Sequence, residues 1–264
     1  MNANDSILTI DEISLSFAGL KVLNDISLEV RANSLFSIIG PNGAGKSSLF
    51  NCISGLYRPD SGRIVFNDNE ITREKPPLIA AAGVGRMFQN IALFENLTVL
   101  ENLLVGRHHL TRYPGGKLLG WLAGPLRTPG VVREEIRQQR AVEEIIDFLD
   151  LSPYRKLPVS LLPYGVLKRV ELGRALAMEP KLLLLDEPAA GLNQEEREDM
   201  ARYIMEMKFR LGITQILIEH DLSFVMDLSD EVLALNFGTV IARGLPEAVG
   251  KHPEVAKAYL GAGA

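Results

Sequence analysis

The sequence predicts an α/β protein: a largely parallel sheet with helices, preceded by an antiparallel β-subdomain. Three observations carry this. The stretches Ile7–Phe17 and Val22–Val30 alternate apolar and polar residues, as half-buried strands do. Short, largely apolar runs at Leu35–Ile39, Lys181–Leu185 and Gln215–Glu219, with helical patterns between them, have the rhythm of βαβ units. A glycine-rich turn, GPNGAG, joins the first of these runs to a helix starting at about Lys46.

The elements follow in order. Ile7–Phe17, Val22–Val30 and Arg63–Phe66 read as strands of one antiparallel sheet. NDNE at 67–70 reads as a hairpin turn, because Asn and Asp tolerate left-handed backbone. Asn96–Leu104 has helical spacing, and Gly106–Val132 is irregular, with glycines and prolines. Glu134–Leu151 predicts an amphipathic helix with Ile136, Val142, Ile145, Ile146 and Leu149 on one side. Val166–Met178 predicts another helix, and Val232–Arg243 a closing hairpin through Gly238. No repeat or low-complexity tail is visible.

Composition narrows the class. The 264 residues, 47% hydrophobic and 23% charged, suit one large domain or two modest lobes with a sizeable core. A net charge of −5 supplies no global field for nucleic acid. The single cysteine, Cys52, excludes an internal disulfide and reads as a buried small residue. The acidic start MNANDSILTIDE lacks a signal pattern, and no apolar run approaches the ~20 residues of a membrane span. The expectation is a cytoplasmic chain, at most peripheral to a membrane.

Two motifs carry chemistry. Gly40-Pro41-Asn42-Gly43-Ala44-Gly45-Lys46-Ser47 matches the G-x-x-x-x-G-K-[ST] phosphate loop, with Ser48 next in the helix. Glycines let backbone N–H groups close around phosphate oxygens, and the helix turns its positive end toward them. Lys46 is expected to reach the β- and γ-phosphates and Ser47 to ligate Mg²⁺. The second motif, LLLLDEP at 182–188, sets Asp186 and Glu187 at the end of a buried strand. Asp186 is expected to bind Mg²⁺ through water, and Glu187 to polarise the water that attacks the γ-phosphate of a bound nucleotide.

With these motifs in order, the chain resembles the ATP-binding subunit of ABC transporters over essentially its full length. The resemblance implies a P-loop NTPase core with a parallel sheet, the antiparallel β-subdomain, and a helical signature subdomain. It also implies one domain over 1–264, with a core lobe at about 1–88 and 168–264 and a helical lobe at about 89–167. Phe17 stands where the family stacks an aromatic on adenine; a strand-end core phenylalanine is the alternative. Gln89, in RMFQN, matches the glutamine that senses Mg²⁺ and links to the membrane subunits. His220 matches the histidine that contacts the γ-phosphate. Ala190-Gly191-Leu192-Asn193 matches the loop that touches the opposing subunit, where the family more often has Asp in place of Asn193.

LLPYGVLKR at 161–169 falls where the family has its signature, usually LSGGQ. Leu162 and Gly165 keep the pattern, while Pro163 stands for Ser, Tyr164 for Gly and Val166 for Gln. The resemblance implies that Leu162, Pro163, Tyr164 and Gly165 help bind the γ-phosphate of ATP held by a second ATPase subunit. Proline is tolerated in a first helical turn, but the serine hydroxyl is lost.

The L-x-YG signature, the PAAGLN run, the ending AVGKHPEVAKAYLG and the extra segment near 106–132 resemble the longer ATPase of branched-chain amino acid importers. Importers of urea or short amides share the pattern. Implied partners are two membrane permease subunits, a second ABC ATPase (a shorter sibling or this chain itself) and, indirectly, an external solute-binding protein, with no nucleic acid. The implied location is the cytoplasmic face of the inner membrane. The rivals are a soluble ABC-type ATPase acting on nucleic acid or ribosomes, a P-loop kinase, and a purely regulatory nucleotide-binding module. The segment 106–132, with Arg107, Arg112, Lys117, Arg127 and Trp121, has two open readings: a solvated loop, or a surface approaching anionic headgroups.

Overall fold

The computed structural model describes residues 6–110 and 129–260. Two compact units form, residues 1–89 with 181–264, and residues 90–180. The sequence expectation placed these boundaries at 88/89 and 167/168; the second falls later because the helix after the signature stays whole in the second unit.

In the first unit, strands β1 (Ser6–Phe17), β2 (Leu20–Arg31), β4 (Ser61–Phe66) and β5 (Asn69–Glu70) form an antiparallel sheet of order β2-β1-β4-β5. Residues 67–70 are not all turn. Asn67 and Asp68 alone turn, both with positive φ, and Asn69–Glu70 already pairs back with Val65–Phe66. The second sheet has order β10-β9-β3-β8-β7-β6. It contains β3 (Leu35–Ile39), β6 (Val84–Met87), β7 (Leu182–Asp186), β8 (Thr214–Ile218), β9 (Glu231–Asn236) and β10 (Thr239–Gly244). All neighbours run parallel except β9 and β10, the expected hairpin.

The helices of this unit are α1 (Lys46–Ile53), α2 (Pro76–Ala82), α6 (Gln194–Phe209), α7 (Leu222–Leu228), α8 (Pro246–Gly250) and α9 (Pro253–Leu260). One core cluster joins apolar faces of both sheets to α1 through Leu49, Phe50, Cys52 and Ile53. The larger of these side chains, Leu49, Phe50 and Ile53, each contribute about 1.5–3 kcal/mol by leaving water. Burial pushes the Cys52 thiol up to about 12, so it is a packing residue. A smaller cluster gathers Ile39, Val225, Val232, Ala234, Val249 and Val255, with Leu222 and Tyr259 against it.

The parallel register explains why the motifs meet. Ile38 lies beside Ile218, Ile218 beside Asp186, and Leu185 beside Met87. The residues just beyond β3, β6, β7 and β8 therefore emerge at the same carboxyl edge, where open α/β sheets bind ligands.

The second unit holds α3 (Val99–Gly106), α4 (Pro129–Phe148) and α5 (Tyr164–Leu176). Thr98 starts α3 with a capping box to Glu101. In α4 the buried face is Val131, Gln138, Val142 and Ile146, with Leu149 buried just past its end. Ile136, expected on that face, is exposed, because two helical steps before Gln138 turn it about 200° away. Arg107 is a second correction. It is buried, donating to Gln138 Oε1 at 2.5 Å, Ala177 O at 3.1 Å and Glu179 Oε1 at 2.7 Å, so it is not a surface cation. Arg112, Lys117, Trp121 and Arg127 lie outside the described residues. No helix among the described residues is long and apolar enough to cross a membrane.

Candidate active site

The turn after β3 wraps backbone around a cavity of about 230 Å³. Its walls are Val22, Asn42 to Ser48, Gln89, Glu187 and His220. Gly45 caps α1 with φ +102°, and a Cβ there would sit 2.9 Å from both Leu23 Cδ2 and Val22 O. Only glycine fits that backbone at that approach. Lys46 is buried, with Nζ folded onto Gly40 O at 2.7 Å and Pro41 O at 3.0 Å. Burial pushes its ammonium pKa down, while Glu187 and Asp186 pull it up.

Across the cavity, Glu187 is held from both sides. Oε1 lies 2.5 Å from His220 Nε2, and Oε2 accepts from Gln89 Nε2 at 2.9 Å. Its φ of +51° is in the left-handed region, and its N–H is tied to Ile218 O at 2.9 Å. A non-glycine residue there costs about 1–3 kcal/mol and persists only where the surroundings fix it.

Asp186 sits behind the wall. Oδ2 takes an ion pair from Arg86 at 3.0 Å, and Oδ1 is buried without a hydrogen-bond partner. Burial pushes its carboxyl up, and the Arg86 guanidinium pulls against that. A buried, unpaired carboxylate oxygen, the Ser47 hydroxyl and open loop N–H groups make a donor set that fits Mg²⁺ with a nucleotide. Among the described residues no cluster of three or more His, Cys, Asp or Glu could hold a metal. Mg²⁺ itself uses one or two carboxylates together with phosphate oxygens and water.

The structure therefore brings together Asn42 to Ser48, Gln89, Glu187 and His220, with Gly40 and Pro41 holding the lysine. Phe17 is not in the cavity wall; it is half-exposed at the end of β1, edge-on to Tyr57 at 5.1 Å. Leu162, Pro163, Tyr164 and Gly165 belong to the second compact unit. There α5 starts at Tyr164, two residues earlier than expected, and Pro163 is its N-cap rather than a first-turn residue. Its carbonyl accepts from Leu167 N–H at 3.0 Å, and no side chain caps the first turn. Leu162 is extended, as a residue before proline must be.

Four neighbours escaped the sequence reading. Arg86 also donates to Asn51 Oδ1 at 2.7 Å and Ser54 Oγ at 3.0 Å, tying β6 to α1. Glu219 is buried and accepts Ala189 N–H at 2.8 Å and His220 N–H at 3.2 Å, joining the loop after Glu187 to the histidine. Burial pushes its carboxyl up, and those two N–H groups oppose that. Tyr57 and Val22 are the others. A charge inside an apolar strand, as in VGRMF, was the signal available for Arg86. Asn193 caps α6: its side chain accepts Glu196 N–H, and Glu196 Oε2 accepts Asn193 N–H, each at 3.0 Å.

A glycine loop at a helix mouth, facing strand-end acids on a parallel sheet, defines a P-loop nucleotide-binding site; what makes this one an ATP-binding cassette, and so an ATPase, is the family it matches. The chain belongs to the ABC transporter family, whose model matches residues 23–190. A second model, for branched-chain amino acid ATP-binding cassette transporters, matches residues 239–264. The chain is 38% identical, over 97% of its length and 98% of the relative's, to the high-affinity branched-chain amino acid transport ATP-binding protein BraF of Pseudomonas aeruginosa. It is 36% identical, with the same coverages, to the corresponding protein LivG of Escherichia coli K12. Among solved structures, the ADP conformation of an ATP-binding cassette of an ABC transporter superposes with a TM-score of 0.83 at 33% identity, covering 97% of this chain and 99% of that one. A nucleotide-free cassette superposes with 0.82 at 32% identity, covering 96% and 98%.

Proposed function

We propose that this chain is the ATP-hydrolysing subunit of an importer for branched-chain amino acids. It works as one half of a two-ATPase clamp on two permease subunits at the cytoplasmic face of the membrane, fed by an external solute-binding protein. The single observation that carries the site reading is the Glu187 carboxylate, held between His220 Nε2 and Gln89 Nε2 over the phosphate-loop cavity. The C-terminal match at 239–264 and the two named relatives support the choice of solute.

In this reading Phe17 stacks on adenine, and the loop N–H groups and Lys46 hold the β- and γ-phosphates. Ser47, Gln89 and, through water, Asp186 would hold Mg²⁺, which when bound would neutralise charge developing on the phosphate oxygens. Lys46 leaves the carbonyls of Gly40 and Pro41 for phosphate. Glu187 takes a proton from the attacking water, and His220 turns from Glu187 to the γ-phosphate. Residues 162–165 of a second subunit close the site with the open N–H groups of α5. ATP then joins the two subunits, and its hydrolysis releases them.

The test is to recover the tagged chain from membranes, identify its partners, and measure uptake in the matching deletion strain. Permease subunits should co-purify, and uptake of leucine, isoleucine and valine should be lost. Loss of urea or short-amide uptake instead moves the solute. Ribosomal RNA or DNA in place of permeases rejects the transporter reading.

A further inference from the structure

One side chain from the far end of the sequence reaches the phosphate loop from behind. The Tyr259 hydroxyl, on α9, accepts the N–H of Gly40 at 2.9 Å. The Gly40 carbonyl accepts from Lys46 Nζ at 2.7 Å. Gly40 itself has φ +150°, and a Cβ there would lie 2.2 Å from Leu235 O. The first loop residue is thus fixed by Tyr259 on one side and Lys46 on the other, flat against β9. Glycine has more backbone freedom to lose than any other residue, so its anchors decide how well the loop is pre-shaped.

The Tyr259 ring packs on the small cluster of Ile39, Val225, Val232, Val249 and Val255. The same cluster takes in Leu222 and Val225 of α7, the helix that follows His220. The C-terminal elements β10, α8 and α9 therefore underlie both the entry of the phosphate loop and the base of the helix that follows the histidine.

We propose that Tyr259 is a positioning residue for ATP: its hydroxyl fixes the entry of the phosphate loop, so the C-terminal segment sets nucleotide affinity without touching nucleotide. This rests on reading Gly40–Ser47 as the phosphate loop. Without the hydroxyl the buried Gly40 N–H loses its partner and the loop samples conformations that do not bind. Apparent affinity then falls by the fraction of competent loop.

The experiment compares the full chain with Tyr259→Phe, which keeps the ring in its cluster and removes one oxygen. Binding of a fluorescent ATP analogue with Mg²⁺ is measured beside amide hydrogen exchange. A net hydrogen bond predicts affinity weakened about 2- to 10-fold, with kcat in the working complex unchanged within about twofold. Exchange should quicken only in peptides covering the end of β3 and the loop. Unchanged affinity with unchanged loop exchange overturns the proposal, and so does faster exchange spread evenly over β3, β8 and β9. Lys46→Ala is the control: if it leaves affinity intact, the phosphate-loop reading has failed, whatever Tyr259→Phe does.

Discussion

Arg86 and Asp186 form an ion pair at 3.0 Å with side chains only 9% and 4% exposed. The guanidinium also lies over the rings of Phe50 and Phe88, 5.6 and 4.8 Å from their centroids. Removing one partner of such a pair leaves the other charge buried and alone. Arg86→Met should lose about 3–5 kcal/mol in urea unfolding. Mg-ATP should restore more of the melting temperature in this variant than in the parent, because it supplies Asp186 with a new counter-charge. A loss below about 1 kcal/mol would show that desolvation already cancels the pair.

Glu187→Gln keeps the shape of the side chain and removes its basicity. Nucleotide binding should persist while turnover falls by about 10²- to 10⁴-fold, the usual worth of a positioned base. Single-turnover hydrolysis in the assembled complex measures it. Full activity would assign the water to another residue.

Pro163 caps α5 without a side-chain acceptor. Pro163→Ser restores an N-cap hydroxyl and an extra donor for phosphate. In the intact complex apparent ATP affinity should rise about 10- to 100-fold, since a bond to a charged group is worth roughly 1.5–3 kcal/mol. Unchanged affinity and turnover together would refute the idea that the missing serine hydroxyl weakens nucleotide binding at this turn.

Asp221 caps α7, immediately after His220. Hydrogen bonds from Ser223 and Arg197 hold its carboxyl well below the usual carboxylate range. A depressed folded pKa means its stabilisation is complete above the unfolded value of about 4 and lost as pH falls further. Asp221→Asn should therefore cost stability near neutral pH, and the gap to the parent should close as pH drops below about 4. Urea melts across that range test it. A gap that widens in acid would reverse the sign.

The motifs were legible because each is contiguous: the loop at 40–47, the acid pair at 186–187, the histidine after QILIE. Their meeting was also legible, since short apolar runs followed by helices imply parallel strands whose ends align. Arg86, Glu219 and Tyr259 were not. Their roles depend on which neighbour the tertiary fold supplies, and Tyr259 acts across 219 positions of sequence. Ile136 went wrong because an apolar residue at nearly the right spacing is still far round the helix.

Strands β3, β7 and β8 are each five residues long and fully buried. Side chains alternate faces along a strand, so one added or deleted residue inside any of them turns its terminal group to the opposite side of the sheet. The placement of the acids at the end of β7 and of the histidine just past β8 is thus counted out in strand lengths. Residues added between these rulers leave the count intact; residues added inside one do not.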